Sequence, residues 1–220
     1  MKTTTKMFLS AAVAVALVAV SCKKKDKDPD PTPTPTTTGN PPPNAQEVIT
    51  TMKVLINNGT TTATYFYKDP DGDGGIAGFY GPGTTTTSTQ TDSVINLVAS
   101  KNYTVNLLLL DETKSPVDTI SKEVLAEAAD HMFFFNQQSP SALPNASVTI
   151  SGTNLTIMYK DSDGATTPRP LGLLTEWMTG ATTATKKELT IELKHQPGVK
   201  NGTYAPGDVD VSVPFKIKIN

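Results

Sequence analysis

The chain is poor in the residues that carry most protein chemistry. Among 220 residues it has one cysteine, two histidines and one tryptophan. A single thiol supports no intramolecular disulfide framework and no thiolate zinc site. Charged residues make up 18% and the net charge is −2, so nothing in the composition suggests nucleic acid. No acid pair, serine motif or nucleotide-cradling loop stands out, so the expectation is a protein without catalytic activity. The apolar stretch at residues 7–20, broken only by Ser10, is shorter than the roughly 20 residues that span a bilayer as a helix.

That stretch follows Lys2 and Lys6 and ends at Ala19-Val20-Ser21-Cys22. A positive start, an apolar centre and small residues before the cysteine describe a signal peptide over residues 1–21. The ending resembles a bacterial lipobox, with Ala19 where a larger aliphatic residue is usual. The resemblance implies that Cys22 becomes the acylated mature N-terminus. Each buried CH₂ of an acyl chain adds roughly 0.8 kcal/mol, so two or more chains anchor stably. Residues 22–46 then form a tether: a short charged run, followed by Pro-Thr repeats such as Pro31-Thr32-Pro33-Thr34-Pro35. Proline removes backbone donors, and the segment has little apolar surface to bury. An extended spacer of this kind, at about 3.1 Å per residue, reaches on the order of 70 Å.

Residues 47–220 read as mainly β. Met52, Val54 and Ile56 alternate with polar neighbours; Asn58-Gly59 is a hairpin signal, and residues 61–68 form the return strand. The plan recurs at residues 148–150 and 155–160. Both return strands end alike, in Tyr67-Lys68-Asp69-Pro70-Asp71-Gly72 and Tyr159-Lys160-Asp161-Ser162-Asp163-Gly164. The repetition suggests a duplicated framework with halves at 47–138 and 145–220. Residues 187–194 then become the counterpart of 103–110. The clearest alternation runs from Val209 to Ile219. Ser121, with Glu123 onward, is expected to cap one or two helical turns through Val124, Leu125 and Ala128. Leu97 lies six residues before Tyr103, a spacing that resembles the tyrosine corner of Greek-key sandwiches. The expected fold is therefore a β-sandwich of immunoglobulin-like, Greek-key type.

Two groups of residues qualify as metal ligands. Asp69, Asp71 and Asp73 occupy positions one, three and five of a calcium-type loop, with Gly74 at six. The glutamate expected at twelve is replaced by Tyr80. Calcium is thus the one ion or cofactor these acids suggest. His131 follows Asp130, and His195 lies three residues after Glu192. If the halves pack together, the imidazoles meet as a transition-metal pair. Trp177 reads as core.

Several stretches together resemble a group of small Bacteroidota outer-membrane lipoproteins, often labelled periplasmic-binding-fold-like. They are the tether after Cys22, the first junction through Gly74, residues 127–134, residues 193–198 and Gly207-Asp208-Val209-Asp210-Val211. Members are often encoded near TonB-dependent receptors. The resemblance implies an outer-membrane address, a membrane contact through the acyl anchor, and a binding or accessory role in an uptake system with such a receptor as partner. The alternatives are a calcium-stabilised structural or adhesive envelope protein, and a metal-binding protein using His131 and His195. The strand–helix alternation of a periplasmic-binding fold is not in this sequence.

Overall fold

Period-two alternation of apolar and polar residues builds almost every element. The computed structural model describes residues 47–71, 78–82, 93–141, 143 and 145–220. The leader, Cys22, the tether and Asp73 lie outside the described residues. The strands are β1 (Thr51–Asn57), β2 (Thr62–Lys68), β3 (Gly78–Tyr80), β4 (Val94–Leu97), β5 (Asn102–Leu110), β6 (His131–Phe135), β7 (Ser147–Ile150), β8 (Leu155–Tyr159), β9 (Leu174–Thr179), β10 (Lys187–His195) and β11 (Asp208–Ile219). Among the described residues one helix, α1 (Ile120–Ala126), precedes β6.

The strands form two packed sheets, ordered β3-β2-β1-β5-β9-β8-β7 and β4-β11-β10-β6. Pairing is antiparallel throughout, apart from the parallel β4–β11 pair. Their inner faces meet in one core. Phe135 from the four-stranded sheet packs edge-on against Trp177 of the seven-stranded one, and Phe79 does the same to Phe215. The Tyr159 hydroxyl donates to the Phe133 carbonyl across the gap. Trp177, Phe133, Phe135 and Phe215 are essentially inaccessible to solvent. Each such side chain contributes about 1.5–3 kcal/mol by leaving water.

A hydrogen bond spans the Leu97–Tyr103 connection. Leu97 is buried at the end of β4, and the Val98 N–H donates to the Tyr103 hydroxyl at 2.8 Å. That bond clamps the connection where the chain leaves one sheet and enters the other.

Three expectations need correction. The proposed halves do not fold as separate packed units, because each sheet takes strands from both. β5 lies beside β9, β4 beside β11 and β6 beside β10. Residues 187–194 are no counterpart of 103–110: β10 and β5 belong to different sheets. Ser121 does not cap α1; its hydroxyl accepts the Leu109 N–H at 2.7 Å and ties the helix to the sheet, while Leu125 points to solvent. The hairpin expected at Asn58-Gly59 is present, with β1 and β2 paired across it, and Gly59 takes positive φ, at 92°. Asn58 acts instead through its side-chain oxygen, which accepts the N–H groups of Thr60 and Thr61.

Candidate functional site

His131 and His195 stand opposite each other where β6 pairs with β10. Alternation along β6 puts His131 on the same face as Phe133 and Phe135, the core-facing side of the four-stranded sheet. The rings stack with centroids 4.6 Å apart and planes within 5°. The expected meeting of the two imidazoles is thus observed. Its route is strand pairing within one sheet rather than the packing of two halves.

Three elements complete the surroundings. The turn after α1 supplies Glu127, whose carboxylate lies with the two imidazoles such that one ligand atom from each falls within 4.8 Å of the others. The Glu127 carbonyl oxygen sits 3.2 Å from His131 Nδ1. β11 supplies Asp210, and the reason is a β-bulge. Leu193 pairs with Val211 and Lys194 with Val209, so Asp210 is the extra residue between them. A bulge breaks the two-residue alternation and re-aims the side chain it carries. Asp210 Oδ2 lies 3.8 Å from His131 Nε2, with both side chains almost fully buried.

Burial dominates the electrostatics of this sheet end. It pushes His131 down to about 4, because an imidazolium is poorly solvated there. Asp210 is pushed up to about 6 by burial, against the pull of His195. Glu47 rises to about 7, through burial first and then the neighbouring carboxylates of Glu123, Glu127 and Asp210. Lys200 opposes this negative field near His131.

The acids named beside the histidines fare differently. Asp130 lies within electrostatic range of His131. Glu192 does not serve His195, since it alternates to the outer face of β10, toward Gln137. Glu127 and Asp210 were not legible as site residues. The four-residue spacing from Glu127 to His131 was the one available signal, whereas the bulge that turns Asp210 leaves none.

Of the calcium candidates, Asp73 lies outside the described residues, and the other two stand at the end of β2 and just after it. Asp69 is buried at the end of β2, with the Tyr67 hydroxyl 3.4 Å from its Oδ2, and Asp71 is exposed. At the second junction the acids hold the loop itself. Asp161 accepts the N–H groups of Gly172 and Leu174, at 2.7 and 2.8 Å. Asp163 accepts those of Ala165 and Arg169, and its Oδ2 lies 3.6 Å from the buried ammonium of Lys200. Trp177 is core, and its indole N–H donates to Thr175.

An open groove of about 690 Å³ runs between the loops that follow β6, β8 and β10. Ser141, Thr167, Arg169, Asn201 and Thr203 give it a mixed polar lining. Among the described residues no helix is long and apolar enough to cross a membrane. Compared with known proteins, the chain matches no family model, no curated protein and no solved structure.

Proposed function

We propose that this protein is a lipid-anchored, non-catalytic binding module of the outer membrane, serving as an accessory to a TonB-dependent uptake system. The observation that carries the reading is the succession along the chain: an apolar leader, one cysteine, a Pro/Thr spacer, and then one sandwich with an open loop groove. A spacer of this composition holds a domain away from a surface without folding against it. The groove offers hydroxyls, amides and a guanidinium, donors suited to a polar ligand or partner rather than to bond chemistry.

Two measurements test the reading. Acyl labelling in the native host is expected in the wild type and absent in Cys22→Ala. Pull-down with the acylated protein from envelope extracts is expected to recover a TonB-dependent receptor. Unlabelled wild-type protein overturns the anchor, and an extract that yields no receptor overturns the partnership.

A further inference from the structure

We infer that the core-facing end of the four-stranded sheet is a binding site for one divalent transition-metal ion, held by His131 and His195 with Glu127 and Asp210 as carboxylate donors. The site is independent of the anchor and of the receptor partnership.

Two buried atoms carry the argument. Among the described residues, neither His131 Nε2 nor Asp210 Oδ2 has a hydrogen-bond partner. An orphaned buried polar atom costs about 1–3 kcal/mol. The two face each other at 3.8 Å. That is too long for a direct hydrogen bond, which closes at about 3.2 Å. It is too short for a bridging water, which would hold two partners about 4.6 Å apart at a tetrahedral angle. Two ligands on one ion, with bonds of about 2.1 Å, stand about 3.4 Å apart at the tetrahedral angle. Among these three arrangements, the shared ion requires the smallest adjustment.

The rest of the surroundings agrees. Nδ1 of His131 faces the Glu127 carbonyl at 3.2 Å, which places the ring proton there and leaves the Nε2 lone pair for a ligand. Metal-bound histidines are commonly oriented by this outer contact. Glu127 and His195 bring their ligand atoms within 4.8 Å of His131 and of each other. The stacked rings hold their in-plane lone pairs in nearly parallel, separate planes, so a shared ion tilts the planes until they converge toward it. Histidine χ2 is a broad torsion, and the tilt costs little. Glu47, Glu123, Asp130 and Asp208 add negative potential nearby, against Lys200.

Donor chemistry selects the ion class. Two imidazoles and two carboxylates suit zinc and its neighbours. Calcium asks for six to eight oxygens, which the described cluster does not offer.

The test uses the full-length chain in detergent, stripped with chelator and titrated with Zn²⁺ by calorimetry and with Co²⁺ by absorption and proton NMR. One ion per chain is expected, unaffected by excess Ca²⁺. His131→Gln, His195→Gln and Asp210→Asn should each weaken binding by at least about tenfold, the scale of even outer-sphere losses at metal sites. The chain has only two histidines, so Co²⁺ should shift both imidazole signals of the wild type together. That readout needs no variant to fold. Wild-type protein that binds neither ion, variants that bind as the wild type does, or a Co²⁺ effect confined to one imidazole would each overturn the site.

Discussion

Two polar clusters flank the loop from β10 to β11, and they differ in how far they satisfy their buried groups. At the second junction, Asp163 Oδ2 alone lacks a hydrogen bond, and it lies 3.6 Å from the Lys200 ammonium. Both oxygens of Asp161 accept backbone N–H groups there, and Asp163 accepts two more. Lys200 donates to the Ala128 carbonyl at 2.7 Å beside Asp163. Those groups fix the loop from β8 to β9 to the loop from β10 to β11. At the sheet end, His131 Nε2 and Asp210 Oδ2 stand 3.8 Å apart, and neither has a hydrogen-bond partner among the described residues. A cluster that bonds its own backbone is scaffold. A cluster that leaves buried donors and acceptors unsatisfied carries a cost, and that is where a ligand is worth seeking.

Asp161→Ala should produce the largest effect on this contrast. It strips two charge-assisted bonds from the amides of Gly172 and Leu174, and should cost about 3–5 kcal/mol in urea unfolding, with or without metal. A loss below about 1 kcal/mol would remove Asp161 from the scaffold.

Lys200 comes next. Burial lowers it from 10.5 to about 8, although Asp163 pulls the other way. Between those values the unfolded chain holds a proton that the native state has released, so stability rises as pH increases through that window. The full change approaches about 3 kcal/mol by the pKa arithmetic. Unfolding followed from pH 7.5 to 10 should show this slope in the wild type and lose it in Lys200→Met.

Tyr103→Phe should cost about 1–1.5 kcal/mol, because the Val98 N–H loses its acceptor while the ring packing persists. Thermal or urea unfolding measures it, and an unchanged midpoint would reduce the corner to a coincidence of spacing.

The smallest effect has the opposite sign. In metal-free protein, Asp210→Asn removes a buried charge whose Oδ2 has no hydrogen-bond partner. It should leave stability unchanged or raise it by up to about 1 kcal/mol near pH 7.5. If it destabilises as strongly as Asp161→Ala, the two clusters are the same kind of object and the contrast fails.

The sequence carried the fold further than the site. Alternation marked β1, β8, β10 and β11, and the Leu97–Tyr103 spacing anticipated a bond that the structure contains. β9 was missed because its inward residues are Thr175, Trp177 and Thr179, so polar side chains occupy the buried face and invert the usual pattern. Thr175 tolerates the core because its hydroxyl is bonded to the Trp177 indole. β3 is three residues long, too short for any period to register. The twin junctions misled in architecture. Likeness of local sequence does not set strand order, which is settled by which faces can be buried together.

By itself, the chain determined its mainly β class and most of its longer strands, its lack of thiol chemistry in residues 47–220 and the expectation of a tethered module, because periodicity, composition and local turn chemistry are properties of neighbouring residues. Only the tertiary structure decided that His131 meets His195, that Glu192 faces away, and that Asp210 turns toward the imidazoles. Register across β6 and β10 and one inserted residue in β11 are properties of strand pairing, and they bring together residues 64 and more positions apart.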